Sequence, residues 1–169
     1  FDWPIPAERR GIPSISRTAL RIAGAGAFEF WQRRLRESGV PAGDIVERDG
    51  RLTLDFEDPE GQRLSLVDDG GEEVSFPWDK SPVPADYQVR GLGPITLSVP
   101  VLEPTDAVLR LALSMRQVRS YAHPDDASKT VHVYEMGTGG AGAELHVAVQ
   151  PDLPMARQGL CGLHKGGAS

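Results

Sequence analysis

At 169 residues with a formal net charge of −6, the chain is long enough to bury roughly two thirds of its unfolded surface, and its acidic balance, with no Lys/Arg-rich run, argues against a nucleic-acid partner. Hydrophobic residues at 40% and charged residues at 25% are a globular mixture, which excludes disorder as the main state. Cys161 is the one cysteine and cannot close an intramolecular disulfide, no apolar run nears the roughly 20 residues that span a bilayer, and no leader pattern opens the chain. The expectation is a cytoplasmic protein with no membrane segment.

In chain order, Ile15 to Ile22 alternates, with Thr18, Leu20 and Ile22 pointing one way and Arg17, Ala19 and Arg21 the other, which predicts a half-buried strand. A helix is predicted over Ala27 to Ser38, with Phe28, Trp31 and Leu35 on one stripe and Gly39 placed to end it. Strands follow at Asp44 to Arg48, Arg51 to Glu57 and Gln62 to Val67, joined by Asp49-Gly50 as a tight turn and Asp58-Pro59-Glu60-Gly61 as a longer one. Gly61 is expected at positive φ, whereas Gly139 falls in a looser loop.

Asp68 to Arg90, rich in Pro, Gly and acidic residues, shows no period and reads as a linker. The same order then returns: a strand through Ile95, Leu97 and Val99, a helix over Pro104 to Met115, and strands at Arg116 to Ala122, Lys129 to Met136 and Ala143 to Gln150. The chain therefore divides into a first βαβββ repeat at 12–68, a linker at 69–90, a second repeat at 91–150 and a tail at 151–169. The fold class is α+β, two βαβββ repeats forming paired half-barrel sheets with one helix on each convex face.

If Leu52, Leu54, Phe56, Leu64 and Leu66 face the helices, period two turns Thr53, Asp55, Ser65, Thr96 and Ser98 toward a concave cavity. His132, Tyr134, Glu144 and His146 are expected to line it too. Glu144 and His146, at i and i+2, offer two metal-type ligands but no third, so a hydrogen-bonded polar face is the simpler reading. His123, in a Pro- and Asp-rich loop, reads as a surface residue. Gly137-Thr138-Gly139-Gly140-Ala141-Gly142 fits G-x-G-x-x-G, yet a strand rather than a helix is expected after it, which favours a hairpin over a phosphate cradle. Trp31 is a core residue by its spacing, Trp3 and Trp78 are placed to cover a barrel end, and Cys161 lacks the partners of a nucleophile.

The run Leu54-Asp55-Phe56-Glu57-Asp58-Pro59-Glu60-Gly61-Gln62-Arg63-Leu64-Ser65-Leu66-Val67 resembles a hairpin of the vicinal-oxygen-chelate superfamily, the glyoxalase, bleomycin-resistance and ring-cleaving dioxygenase kind. Tyr87 to Val99 is similar to the start of the third repeat in its four-repeat dioxygenases, so the resemblance covers essentially the whole chain as the middle two repeats of four. A chain opening on Phe1-Asp2-Trp3-Pro4 and closing on Gly166-Gly167-Ala168-Ser169 fits a piece of a longer protein. The resemblance implies a divalent metal, iron above all, held by imidazoles on first strands and a carboxylate on a later one, with a small aromatic or oxygen-chelating ligand.

Here Arg17 and Pro94 stand where the imidazoles would, Ser65 stands where the hairpin carboxylate would, and Lys165 follows His164 where a further histidine is expected. This segment is therefore expected to hold no metal and no catalytic residue, the metal belonging to the other repeats. Three functions stay open: the metal-free half of a ring-cleaving or glyoxalase-like enzyme, a metal-free module that sequesters a small molecule, or a purely structural scaffold or dimerisation half. Exposed strand edges would also allow a homodimer.

Overall fold

The computed structural model describes residues 9–71 and 74–157. Its elements run β1 (Ser14–Ile22), α1 (Ala25–Glu37), β2 (Ala42–Arg48), β3 (Arg51–Glu57), β4 (Arg63–Asp68), β5 (Gly91–Val99), α2 (Glu103–Ala107), β6 (Arg116–His123), β7 (Asp126–Glu135) and β8 (Glu144–Val149). Strand order is β2-β3-β4-β1-β5-β8-β7-β6. Each βαβββ unit supplies four neighbouring strands, and antiparallel pairing of β1 with β5 joins them into one curled sheet. No described helix is long and apolar enough to cross a membrane.

The helix faces follow from the alternation. Phe28, Ala27 and Leu35 of α1 pack on Ile22, Leu54 and Leu66, with Leu20, Leu52 and Phe56 at the margin. On the other unit Leu109 and Met115 pack on Val99, Tyr134 and Val147. The second helix, expected unbroken from Pro104 to Met115, is α only at Glu103–Ala107 and widens into a π-turn at Val108–Ala112. Ser114 then takes a φ of 53°, which ends it before Met115.

Turn chemistry positions the site. Asp49 and Gly50 both have positive φ, 52° and 75°, the backbone of a type I′ hairpin whose twist suits β2 and β3. Gly61 has φ 84°, as its turn requires, with its N–H donating to Asp58. Gly139, expected to be less constrained, also has positive φ, and a Cβ there would run into the Glu135 carboxylate. The glycine run closes into a three-residue 3-10 turn, Ala141–Ala143, and passes straight into β8.

Trp31 sits at the rim of the first core and donates to the Tyr87 carbonyl at 2.7 Å, which ties the connecting segment to α1. Trp78, expected over a barrel end, is 60% exposed. Trp3, Cys161, His164 and Lys165 lie outside the described residues.

Candidate functional site

Pairing fixes which side chains enter the concavity. Ser65 lies opposite Asp55 and beside Ala19, and His146 lies opposite Val133 and beside Thr96. Glu144 and His146, one pleat apart on β8, thus face inward with Asp55, Ser65, Thr96 and Ser98.

His132 and Tyr134 do not, which corrects the expectation that all four candidates share the cavity. They pair with Val147 and Leu145, on the helix side. Tyr134 is fully buried in the second core and its hydroxyl donates to Asp106 at 2.8 Å; His132 meets Gln117 across the same outer face. Val131 and Val133 take the inner positions instead. Burial and then the Asp106 carboxylate push the Tyr134 phenol well above its ordinary range.

The inner face also carries Arg48, Asp49, Arg119 and Tyr121, together with Arg51, which shares the period-two face of Thr53 and Asp55. A β-bulge between Gln117 and Arg119 inserts one residue and re-aims Arg119 and Tyr121 inward. The Asp49 turn brings its carboxylate to the Arg119 guanidinium at 2.6 Å, across the opening between β2-β3 and β6. Arg119 also meets Glu144 at 3.0 Å and Glu135 at 3.3 Å. Arg51 grips Glu144 with both terminal nitrogens, at 2.7 and 2.9 Å. The two units are therefore clasped by charge across the concavity as well as by the β1-β5 ladder.

Glu144 has no exposed side-chain surface. Burial alone would raise its carboxyl, but His146, Arg51 and Arg119 together hold it well below the usual carboxylate range. Asp55 is likewise lowered against burial by Arg48, Arg17 and Ser65.

Among the described residues, Asp49, Glu144 and His146 form a group whose ligand atoms lie within 4.8 Å of one another. Its surroundings do not suit a divalent cation. Both Asp49 oxygens are taken by Arg119, both Glu144 oxygens by guanidiniums, and the two His146 ring nitrogens by Glu144 and Tyr121. Two fixed positive charges would sit beside the ion. Arg17, Pro94 and Ser65 line the small cavity next to this group and offer neither imidazole nor carboxylate.

A cleft of about 370 Å³ opens on the other side of Arg17, Arg48 and Tyr121, large enough for a single-ring ligand. His123, read from sequence as a surface residue, is half-buried on its wall, and its imidazole is lowered mainly by burial. Arg17 and Arg48 share the Asp55 carboxylate, at 2.9 and 2.8 Å, and Asp125 on the cleft wall also acts on both guanidiniums.

No family model matches the chain. It is similar to a Bacillus subtilis protein named as the ring-cleaving dioxygenase MhqA, 39% identical over 166 residues that make up 97% of this chain and 52% of that protein. The chlorohydroquinone/hydroquinone 1,2-dioxygenase of Sphingobium indicum is 27% identical over 145 residues, 85% of this chain and 43% of its own length. Among solved structures, a Bacillus subtilis protein named as a dioxygenase matches with a TM-score of 0.74 at 23% identity, over 95% of this chain and 48% of its own. Glyoxalase I of Zea mays matches at 0.60 and 15%, over 91% and 48%. At such identities the structures establish the fold alone. The chain spans about half the length of the curated relatives it matches.

Proposed function

We propose that this chain, a member of the vicinal-oxygen-chelate superfamily by its fold and its relatives, is the metal-free half of a ring-cleaving dioxygenase, with 12–68 and 91–150 as the middle two of four repeats. The relatives named as dioxygenases support the ring-cleaving part. The observation that carries the metal-free part is the group at Asp49, Glu144 and His146, where every ligating atom already serves an arginine, tyrosine or neighbouring carboxylate. Iron in the whole protein then belongs to other repeats. This half offers the cleft, whose Arg17-Arg48 floor suits the oxygen atoms of a hydroquinone-like or other oxygen-chelating ring.

Dioxygen uptake with hydroquinone, measured on the protein that contains this chain, tests the division of labour. Arg17→Ala is expected to raise KM about tenfold, as loss of one charged contact of roughly 1.4 kcal/mol requires, with iron content unchanged. An unaltered KM would contradict the cleft as the ring's site, and iron lost on Glu144→Gln would contradict the metal-free half.

A second reading, a metal-free module that sequesters a small molecule, is favoured by the same spent ligand atoms beside an intact cleft. It differs in one outcome: saturable binding of the ring with no dioxygen uptake under any iron loading.

A further inference from the structure

Two arginines of the cleft are left with donors to spare, and the cause is competition for carboxylates. Asp55 gives both oxygens to Arg48, at 3.1 and 2.8 Å, and also accepts from Ser65. Arg17 reaches Asp55 through Nη1, at 2.9 Å, and spends that same nitrogen on the Leu64 carbonyl and Ser65. Glu57 gives both oxygens to Arg10, at 3.2 and 3.1 Å, so Arg63, its cross-strand neighbour, is held off at 3.7 Å. Among the described residues, Arg63 has no other bound partner and Arg17 Nε and Nη2 have none. No buried side-chain nitrogen among them is left unpaired, so these free donors face open space.

The two arginines stand together. Parallel pairing sets Thr18 beside Leu64, so Arg17 and Arg63, one step earlier on β1 and β4, project from the same face of strands about 4.8 Å apart. Burial lowers the Arg17 guanidinium, Asp55 raises it, and the like charges of Arg48 and Arg63 lower it further. Arg63 and Asp125, both of which Arg17 senses, line the 370 Å³ cleft and not the smaller cavity, which places the Arg17 head toward the cleft. The other cation of the lining outside this group, Lys129, is answered by Asp126 and Asp152, at 3.4 and 3.2 Å.

We propose that the cleft holds its ligand by a carboxylate docked between Arg17 and Arg63, so that the hydroquinone-like ring it takes carries an acid group. The side edge of a guanidinium, Nε–H with Nη2–H, presents two parallel donors whose spacing matches the two oxygens of a carboxylate. That is the edge Arg17 leaves free. Arg63, loosely held by Glu57, closes on the same anion from the neighbouring strand. A planar monoanion suits the place better than a phosphate dianion, whose second charge would stand among Asp55, Glu57 and Asp125.

The carboxylate site rests on the reading of the cleft as a site for a ring, and the test separates the two. The probes are 2,5-dihydroxybenzoate and its methyl ester, which share ring and hydroxyls and differ in charge, titrated calorimetrically into the 169-residue chain near neutral pH at fixed ionic strength. The acid is expected to bind about tenfold tighter than the ester, the scale of one charge-assisted pair. Arg63→Gln, at a partly exposed side chain, and Arg17→Gln should each remove most of that difference. Lys129→Gln makes the same change of charge in the same cleft and should preserve it, while Asp125→Asn should widen it. Equal affinities for acid and ester, or a difference lost as fully on Lys129→Gln as on Arg63→Gln, overturn the carboxylate site and leave the cleft standing for a neutral ring. Acid that binds through Arg63 with no binding of the ester supports the carboxylate site and overturns the neutral-ring reading. No saturable binding of either probe overturns both.

Discussion

Glu144→Ala is expected to cost about 3 to 5 kcal/mol of stability, the range for removing one partner of a buried ion pair and leaving the other uncompensated. The carboxylate is fully enclosed and serves Arg51, Arg119 and His146 together. Its loss takes from Arg51 the carboxylate it grips and from His146 one of its partners, while Arg119 keeps Asp49 and Glu135. The sign with pH follows from the direction of the shift. A carboxyl lowered in the folded state contributes stability that is fully present above its unfolded value and is lost as pH falls through the folded one. Wild-type protein should therefore lose stability as pH drops below about 4, Glu144 and Asp55 acting in the same direction. Urea melts at several pH values check this: Glu144→Gln should start lower and show a shallower fall in acid. A cost below 1 kcal/mol with an unchanged acid slope would show that the clasp does not hold the two units together.

Tyr134→Ala is expected to cost about 3 to 5 kcal/mol by emptying a filled core position, whereas His132→Ala, two residues away on the same strand face, should cost under about 1 kcal/mol. Tyr134 is fully buried against Val99, Leu109, Met115 and Val147. Its deletion both opens a cavity and leaves Asp106 without the phenol that donates to it. Guanidinium melts followed by two probes give the comparison. Were Tyr134 a wall of the ligand cavity, truncating it would cost little stability and would change ligand binding instead.

Tyr134 also shows where the sequence is legible and where it is not. In β3 the apolar residues Leu52, Leu54 and Phe56 occupy one face, and in β4 Leu64 and Leu66 do so with Val67 alone on the other, so period two assigns the helix side correctly. In β7 both faces are apolar: Val131 and Val133 enter the concavity and the Tyr134 ring enters the core. Polarity then misleads, because a tyrosine buries its ring and needs only one partner for its hydroxyl. Arg119 was hidden by a different cause. Without the bulge at Gln117/Arg119, simple alternation sends it outward. The clasp itself joins residues up to 93 positions apart, as at Arg51 and Glu144, and no local pattern carries that pairing. Asp49-Gly50 was readable as a turn, but not as a turn that delivers a carboxylate to Arg119. The spacing of Glu144 and His146 likewise shows two metal-type residues and conceals the arginines that occupy them.

The metal content of the purified 169-residue chain is the most direct test of the proposal that this segment holds no metal. After loading with excess ferrous iron, zinc or manganese and dialysis into chelator-free buffer, elemental analysis should find well under one metal per chain, because a tight site needs about three free protein ligands in fixed geometry and Asp49, Glu144 and His146 have none to spare. One metal per chain, abolished by His146→Ala, would contradict this assignment and make the Asp49, Glu144 and His146 group a true metal centre.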